Sequence, residues 1–224
     1  MKPHKFKGIY VMRKGKRENY YTKNLNPGKS VYGEVLVRKG KDEYREWSIL
    51  RSKLGAAVAK KISQIGIWPG NKVLYLGAST GTTTSHVSDM VGRDGFVFAV
   101  DFAPRTTREL VYLCEDRENI APIMEDANHP ERYTDRVCEV DVVFQDIAQR
   151  NQAEIFMKNV DMYLKKGGFG LLAIKARSID ITKKPKQVFK EVRAKLEKKN
   201  YTIVDYRELA PLEKDHCMFV IKKK

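Results

Sequence analysis

Two textures of apolar and polar positions meet near residue 50. Before it, short runs rich in β-forming residues lie at 6–12, 20–22 and 31–37. They are broken by Lys14-Gly15-Lys16, Asn26-Pro27-Gly28 and Lys39-Gly40-Lys41, whose glycines and proline mark turns. A small antiparallel β domain is expected over residues 1–50.

After residue 50, strands alternate with helices. Ser52 opens a helical pattern through Leu54, Ala57, Val58 and Ile62, stopped by Gly66 and Pro69. Apolar runs predict strands at 72–76, 96–100, 120–124, 140–144 and 169–174. Helices are expected at 80–91, from Pro104 onward, and at 149–164, the last closed by Lys165-Lys166-Gly167-Gly168. A further helix at 186–199 carries Val188, Phe189, Val192 and Leu196 on one face. Two strands follow, 201–207 and 217–221, joined by a loop too short for a crossover helix, so the final strand should run antiparallel. Residues 51–224 thus predict an α/β fold with a doubly wound, Rossmann-like sheet of seven strands.

Composition narrows the class. With 42% hydrophobic and 10% aromatic residues, the 224-residue chain can build a core, which excludes wholesale disorder. No stretch of about 18 apolar residues occurs, so no membrane-spanning helix and no membrane partner are expected. The N-terminus lacks the apolar run of a secretory signal. Cys114, Cys138 and Cys217 are odd in number and far apart, which argues against a disulfide scaffold and for a reducing cytoplasm. His4, His86 and His129 share no ligand spacing, so no metal site is expected.

Charge changes the picture more. The net charge is +15, but its distribution is uneven: residues 1–50 carry thirteen basic and five acidic side chains, and residues 165–199 carry twelve and three. The stretch 70–164 reverses sign, with nine basic against sixteen acidic. Basic flanks around an acidic middle fit a polyanion held outside and a different ligand inside, although a solvated lysine surface would look similar.

The middle contains a candidate cofactor site. Val73-Leu74-Tyr75-Leu76-Gly77-Ala78-Ser79-Thr80-Gly81-Thr82-Thr83 is a strand leading through two glycines into a helix, where nucleotide-like ligands lie in doubly wound sheets. It is neither a P-loop nor a good dinucleotide fingerprint. Asp101 ends the second strand, 20 residues after Gly81, where an acid is expected to bond ribose hydroxyls. Asp126, next to Ala127, ends the third strand, placed to accept from an adenine amine. Asp146 ends the fourth in Asp146-Ile147-Ala148-Gln149. Three acids after a glycine turn suit a nucleoside bearing a cation. S-adenosyl-L-methionine (SAM) fits better than NAD, whose pyrophosphate an acidic rim would repel.

The candidate chemistry lies beside that rim. Lys175 closes the fifth strand, next to the Asp146 strand end, and Lys53 near the first helix could reach the same place. His216 begins the last strand and reads equally well as a core-edge histidine. Methyl transfer to a ribose hydroxyl needs proximity and removal of the hydroxyl proton. One lysine can accept that proton and another can stabilise the alkoxide, with Asp146 orienting the acceptor.

At Gly77-Ala-Ser-Thr-Gly-Thr-Thr, Asp146-Ile-Ala-Gln149 and Asp215-His216 the chain resembles fibrillarin, a family of box C/D RNA-guided 2′-O-methyltransferases. The resemblance spans essentially all 224 residues. Without a Gly/Arg-rich N-terminal tail, it looks like the archaeal fibrillarin-like form. It implies SAM contacts at Thr82, Thr83, Asp101, Phe102, Asp126, Ala127 and Asp146 through Gln149. It places Lys53, Asp146 and Lys175 in the first three roles of a Lys-Asp-Lys-Glu set, with His216 where the fourth acid would stand. Asp101 replaces the family's usual Glu, shortening the reach by one methylene. The resemblance further implies a guide RNA, rRNA or tRNA targets, a Nop-type scaffold protein and a kink-turn-binding protein of the ribosomal L7 class. A stand-alone RNA methyltransferase and a non-catalytic RNA-binding subunit are the alternatives.

Overall fold

A computed structural model describes residues 1–15, 17–199 and 201–224. The first sheet takes its strands from the N-terminal texture: β1 (Lys2–Pro3), β2 (Ile9–Lys14), β3 (Arg17–Lys23), β4 (Leu36–Lys39) and β5 (Asp42–Trp47). All pairings are antiparallel, in the order β1-β2-β3-β5-β4. The turn residue Lys16 lies outside the described residues.

Three local differences from the expected pattern have physical causes. The run at 6–12 starts pairing only at Ile9, because Gly8 adopts φ +82° and a Cβ there would lie 2.8 Å from Met90 Cα. The run at 31–37 becomes a strand only from Leu36. The Glu34 carboxylate accepts the N–H groups of Val31 and Tyr32, folding that segment back on itself. Strand β5 has no counterpart in the sequence reading, since its buried side chains include Glu43 and Arg45.

The second sheet follows with α1 (Lys53–Ala59), β6 (Lys72–Leu76), α2 (Thr82–Val91), β7 (Phe96–Asp101), α3 (Pro104–Glu115), β8 (Ile120–Met124), β9 (Val140–Gln145), α4 (Gln152–Tyr163), β10 (Leu164–Lys175), α5 (Ala176–Ile179), α6 (Pro185–Lys198), β11 (Thr202–Glu208) and β12 (His216–Lys222). Its order is β11-β12-β10-β9-β6-β7-β8. Neighbours from β10 to β8 are parallel, while β12 runs antiparallel to both β10 and β11. This is the expected seven-stranded, doubly wound α/β sheet with a reversed last strand.

Ser52 caps α1 by accepting the Gly55 N–H at 3.1 Å, but the helix ends at Ala59, before Lys61 turns to φ +60°. Helix α4 starts at Gln152, not 149, with Asn151 at φ −97°, ψ 35° as its N-cap. Helix α4 ends at Tyr163, just before the Lys165–Gly168 stretch expected to close it. That stretch is itself part of β10, as a register irregularity between Leu164 and Phe169.

Apolar side chains fill both faces of the large sheet. One layer, under α1, α2 and α3, also takes Phe6, Ile9, Tyr20 and Trp47 of the small sheet. The other lies under α4 and α6. Among the described residues, no helix is long and apolar enough to cross a membrane.

A polar network ties the small sheet to α2. Thr22 donates to Asp89 at 2.7 Å, so its oxygen accepts from His86 Nδ1, also at 2.7 Å. The His86 ring stacks on Trp47, 5.2 Å between centroids. Burial, helped by Arg45 and Arg117, holds the His86 imidazole well below its ordinary 6.5. Its stability contribution is therefore fully present above 6.5 and is lost as the pH falls below it, because the unfolded chain takes up a proton that the folded chain refuses. Unfolding free energy should decline between pH 6.5 and 5 by at most about 1.4 kcal/mol per pH unit from this group. Urea titrations of wild type and His86→Asn should show a flatter profile in the variant. His4, lowered by burial and by Lys5 and Lys61, would contribute what remains.

Candidate active site

The C-terminal ends of the parallel strands form one rim. Strand register aligns Gln145 of β9 with Leu76 of β6, Leu76 with Val100 of β7, and Asp101 with Met124 of β8. The residues just beyond, Asp146, Gly77, Asp101 and Asp126, therefore follow one another along that edge. On the other side, Lys175 at the end of β10 pairs with His216 at the start of the antiparallel β12.

A cleft of about 390 Å³ opens at this rim. Lys53, Asp146, Lys175 and His216 all line it, with Gly77, Ala78, Thr82, Thr83, Ile147 and Ala148. Four elements separated by over 160 residues of chain thus deliver one set of polar side chains. Lys53 Nζ straddles the Asp146 carboxylate, 3.0 Å from Oδ1 and 3.1 Å from Oδ2. Lys175 is exposed, and among the described residues its amine has no acidic partner. Its main chain is clamped by the buried Gln152 amide, which accepts the Lys175 N–H at 3.0 Å and donates to the Lys175 carbonyl at 3.2 Å. Sequence reasoning did not single out Gln152.

The glycine turn has a steric basis. Gly77 adopts φ +83°, and a Cβ there would sit 2.3 Å from the Asp146 carbonyl oxygen. Gly81, read from sequence as room for a ligand, instead makes room for α3: a Cβ would meet Leu113 at 2.3 Å. It is also the left-handed N-cap of α2 and lends no side chain to the helix's first N–H groups. Thr83 Oγ1 bonds Ser52 Oγ at 3.1 Å, joining the starts of α1 and α2.

The other expected cofactor residues lie further along the rim. Asp101 accepts from Ser79 N, Ala103 N and Thr106 Oγ1 at 2.8–3.0 Å, so it also fixes the glycine turn. Phe102 beside it is exposed. Burial pushes the Asp126 carboxyl up, but the backbone and side-chain amides of Asn128, with His129 and Arg132, bring it below the usual carboxylate range. Both Asn128 bonds go to Oδ1, so among the described residues Oδ2 has no donor. Asn159 anchors the Ala127 carbonyl, and Gln149 accepts from Asn128.

Glu213 and Arg51 also line the cleft, and neither was legible from sequence. Glu213 Oε2 lies 3.8 Å from His216 Nδ1, whose hydrogen goes to the Lys214 carbonyl at 2.6 Å. That leaves Nε2 as the remaining ring nitrogen, and an acid three residues before the histidine is the signal that could have flagged Glu213. No group of three or more His, Cys, Asp or Glu among the described residues could hold a metal ion.

Residues 1–224 match the sequence model of the family described as Fibrillarin. The chain belongs to the fibrillarin family. It is 49% identical, over all of its length and 98% of the relative's, to the fibrillarin-like rRNA/tRNA 2′-O-methyltransferase of Pyrococcus abyssi. Its structure resembles that of Aeropyrum pernix fibrillarin with natively bound SAM: TM-score 0.91, 42% identity, covering 98% of this chain and 96% of that one. A fibrillarin/Nop5p complex is similar too, with TM-score 0.88 and 37% identity over 97% and 98% of the two chains. The donor set fits a SAM-like group: an anionic Asp126 with a free oxygen, the Asp101 carboxylate beside the turn, and uncapped N–H groups at the start of α2.

Proposed function

We propose that this chain methylates ribose 2′-hydroxyls of rRNA and tRNA from SAM, as the catalytic subunit of a box C/D guide ribonucleoprotein in the cytoplasm. The observation that carries the reading is the meeting of Lys53, Asp146 and Lys175 in one cleft beside the Gly77 turn, in a chain of the fibrillarin family. When bound, SAM supplies a sulfonium methyl group. Asp101 would hold its ribose, Asp126 its adenine amine, and the Gly77–Thr83 turn its remaining polar groups.

The acceptor side belongs to this chain's own residues. Lys175 has no acidic partner among the described residues to hold it as an ammonium, and in its neutral amine form it takes the 2′-hydroxyl proton and becomes the ammonium. The Lys53–Asp146 pair keeps an ammonium fixed beside the developing alkoxide, where a preoriented charge is worth most. His216 and Glu213 close the far wall of the cleft. Residues 1–50 and 51–224 are read as two structural units, supported by the two separate sheets, the first ending with β5 at Trp47 and the second built only from strands after α1.

Partners follow from the family. A Nop-type scaffold is supported by the Nop5p complex of a relative, and guide RNA with an L7-class protein completes the proposal. Exposed cations supply phosphate attraction but read no bases. The purified protein should therefore methylate rRNA fragments weakly and without site choice, and gain site-specific activity only when guide RNA and both proteins are added. Counting methyl groups from labelled SAM in each mixture tests this. Site-specific methylation by the lone protein would favour a stand-alone enzyme, and failure to bind SAM would favour a non-catalytic subunit.

A further inference from the structure

We propose that Arg51, resting on the face of Tyr32, binds a phosphodiester of the RNA strand next to the acceptor ribose; this rests on the methyltransferase reading above. Arg51 lies two residues before Lys53, where its N–H bonds the Ser48 carbonyl at 3.1 Å and the chain bends into α1. It lines both the catalytic cleft and an adjoining cavity of about 750 Å³. A strand crossing from one to the other must pass it.

The side chain is free but not loose. Its guanidinium lies 5.7 Å from the Tyr32 ring centroid, a cation–π arrangement. The ring itself is fixed: its hydroxyl accepts the Ser48 N–H at 3.2 Å and lies 2.8 Å from His86 Nε2. The acids of the adjoining cavity are engaged elsewhere. Glu34 pairs with Arg45, Glu46 accepts from Asn19, and Glu18 holds Arg13 and Lys61. In the cleft it shares with Lys53, Asp146 holds Lys53 and Glu213 lies 3.8 Å from His216, and among the described residues no carboxylate forms an ion pair with Arg51.

Chemistry identifies the ligand. The 2′-oxygen that must reach Lys175 and Lys53 sits on the ribose carbon next to the one bearing the 3′-phosphate. A cation beside Lys53 is thus positioned for a flanking phosphate, and a planar fork matches two phosphate oxygens where a lysine offers a point charge. Such a contact would set the acceptor ribose in register without reading its base.

The test compares target RNAs carrying a neutral methylphosphonate in the linkage on either side of the acceptor nucleotide with unmodified RNA. Each is methylated by the assembled ribonucleoprotein of wild type, Arg51→Ala and Arg51→Lys. On unmodified RNA, Arg51→Ala should raise the RNA concentration for half-maximal rate by about ten- to a hundredfold, the loss of hydrogen bonds between charged groups. Arg51→Lys should recover part of it, and SAM affinity should not change. With the neutral group in one of the two linkages, wild type should weaken by a similar factor and Arg51→Ala should lose nothing more. An equal loss on all RNAs, weaker SAM binding without RNA, or weaker binding of the scaffold protein without RNA would each overturn the phosphate assignment. A wild-type complex that methylates none of the RNAs defeats the underlying reading as well.

Discussion

Lys175→Ala is expected to lower the single-turnover methylation rate by roughly 10²–10⁴-fold, the range for lost acid–base assistance, with SAM affinity nearly intact. The exposed amine is held at its position by the main chain, which the Gln152 amide fixes at both N–H and carbonyl, so removing the side chain leaves the strand end in place. Asp146→Ala should lose a comparable factor for a different reason: it releases Lys53, which Asp146 holds through both carboxylate oxygens. On the proposed mechanism the three groups serve one proton transfer, so the Lys175→Ala/Asp146→Ala double variant should be little slower than the slower single. The competing view gives these lysines only phosphate binding. It requires the lost rate to return at saturating RNA and the two effects to add. Single-turnover rates titrated against RNA for both singles and the double separate these views, and recovery with additivity would remove Lys175 from the chemistry.

Much of this site was legible because its residues sit at strand ends. A buried parallel strand is a short apolar run, and the polar residue that ends it marks the rim; Asp101, Asp126, Asp146 and Lys175 all announced themselves this way. Arg51 and Glu213 lie in connecting segments, where no period points a side chain anywhere, and only the fold carries them to the cleft. The pairing of Asp146 with Lys53, rather than with its sheet neighbour Lys175, is likewise a tertiary fact. Strand β5 was hidden for an electrostatic reason. Glu43 and Arg45 are buried in Asp42–Trp47, so charge stands where apolar alternation was sought. The family resemblance reached Lys53 and His216, which position alone would have left as an ordinary surface lysine and a core-edge histidine.

That buried arginine carries the second large effect. Arg45 is fully buried, with Nε 2.7 Å from Glu34 Oε1 as an ion pair whose N–H is not aligned for a hydrogen bond, and its Nη1 lies 3.5 Å from Asp89. Its Nη2 donates to Ser85 Oγ at 2.8 Å, and Ser85 donates in turn to the Thr82 carbonyl in the first turn of α2. One side chain thus links the small sheet to the helix that starts at the glycine turn. Arg45→Ala leaves Glu34 buried without its cation, although Asp89 keeps Arg117 at 2.7 Å. Breaking a buried pair from one side costs about 3–5 kcal/mol. For a chain of this size that is a drop of roughly 6–20 °C in Tm, at about 2–4 °C per kcal/mol. Adding Glu34→Gln to Arg45→Met should restore part of the loss, since the stranded charge is then gone and the Val31 and Tyr32 N–H groups still find an acceptor oxygen. Calorimetry of Arg45→Ala, of Arg45→Met and of the Arg45→Met/Glu34→Gln double, the double judged against Arg45→Met, decides it. A fall under about 1 kcal/mol for Arg45→Ala, or no recovery in the double, would mean that apolar packing around Trp47 holds the small sheet in place without this network.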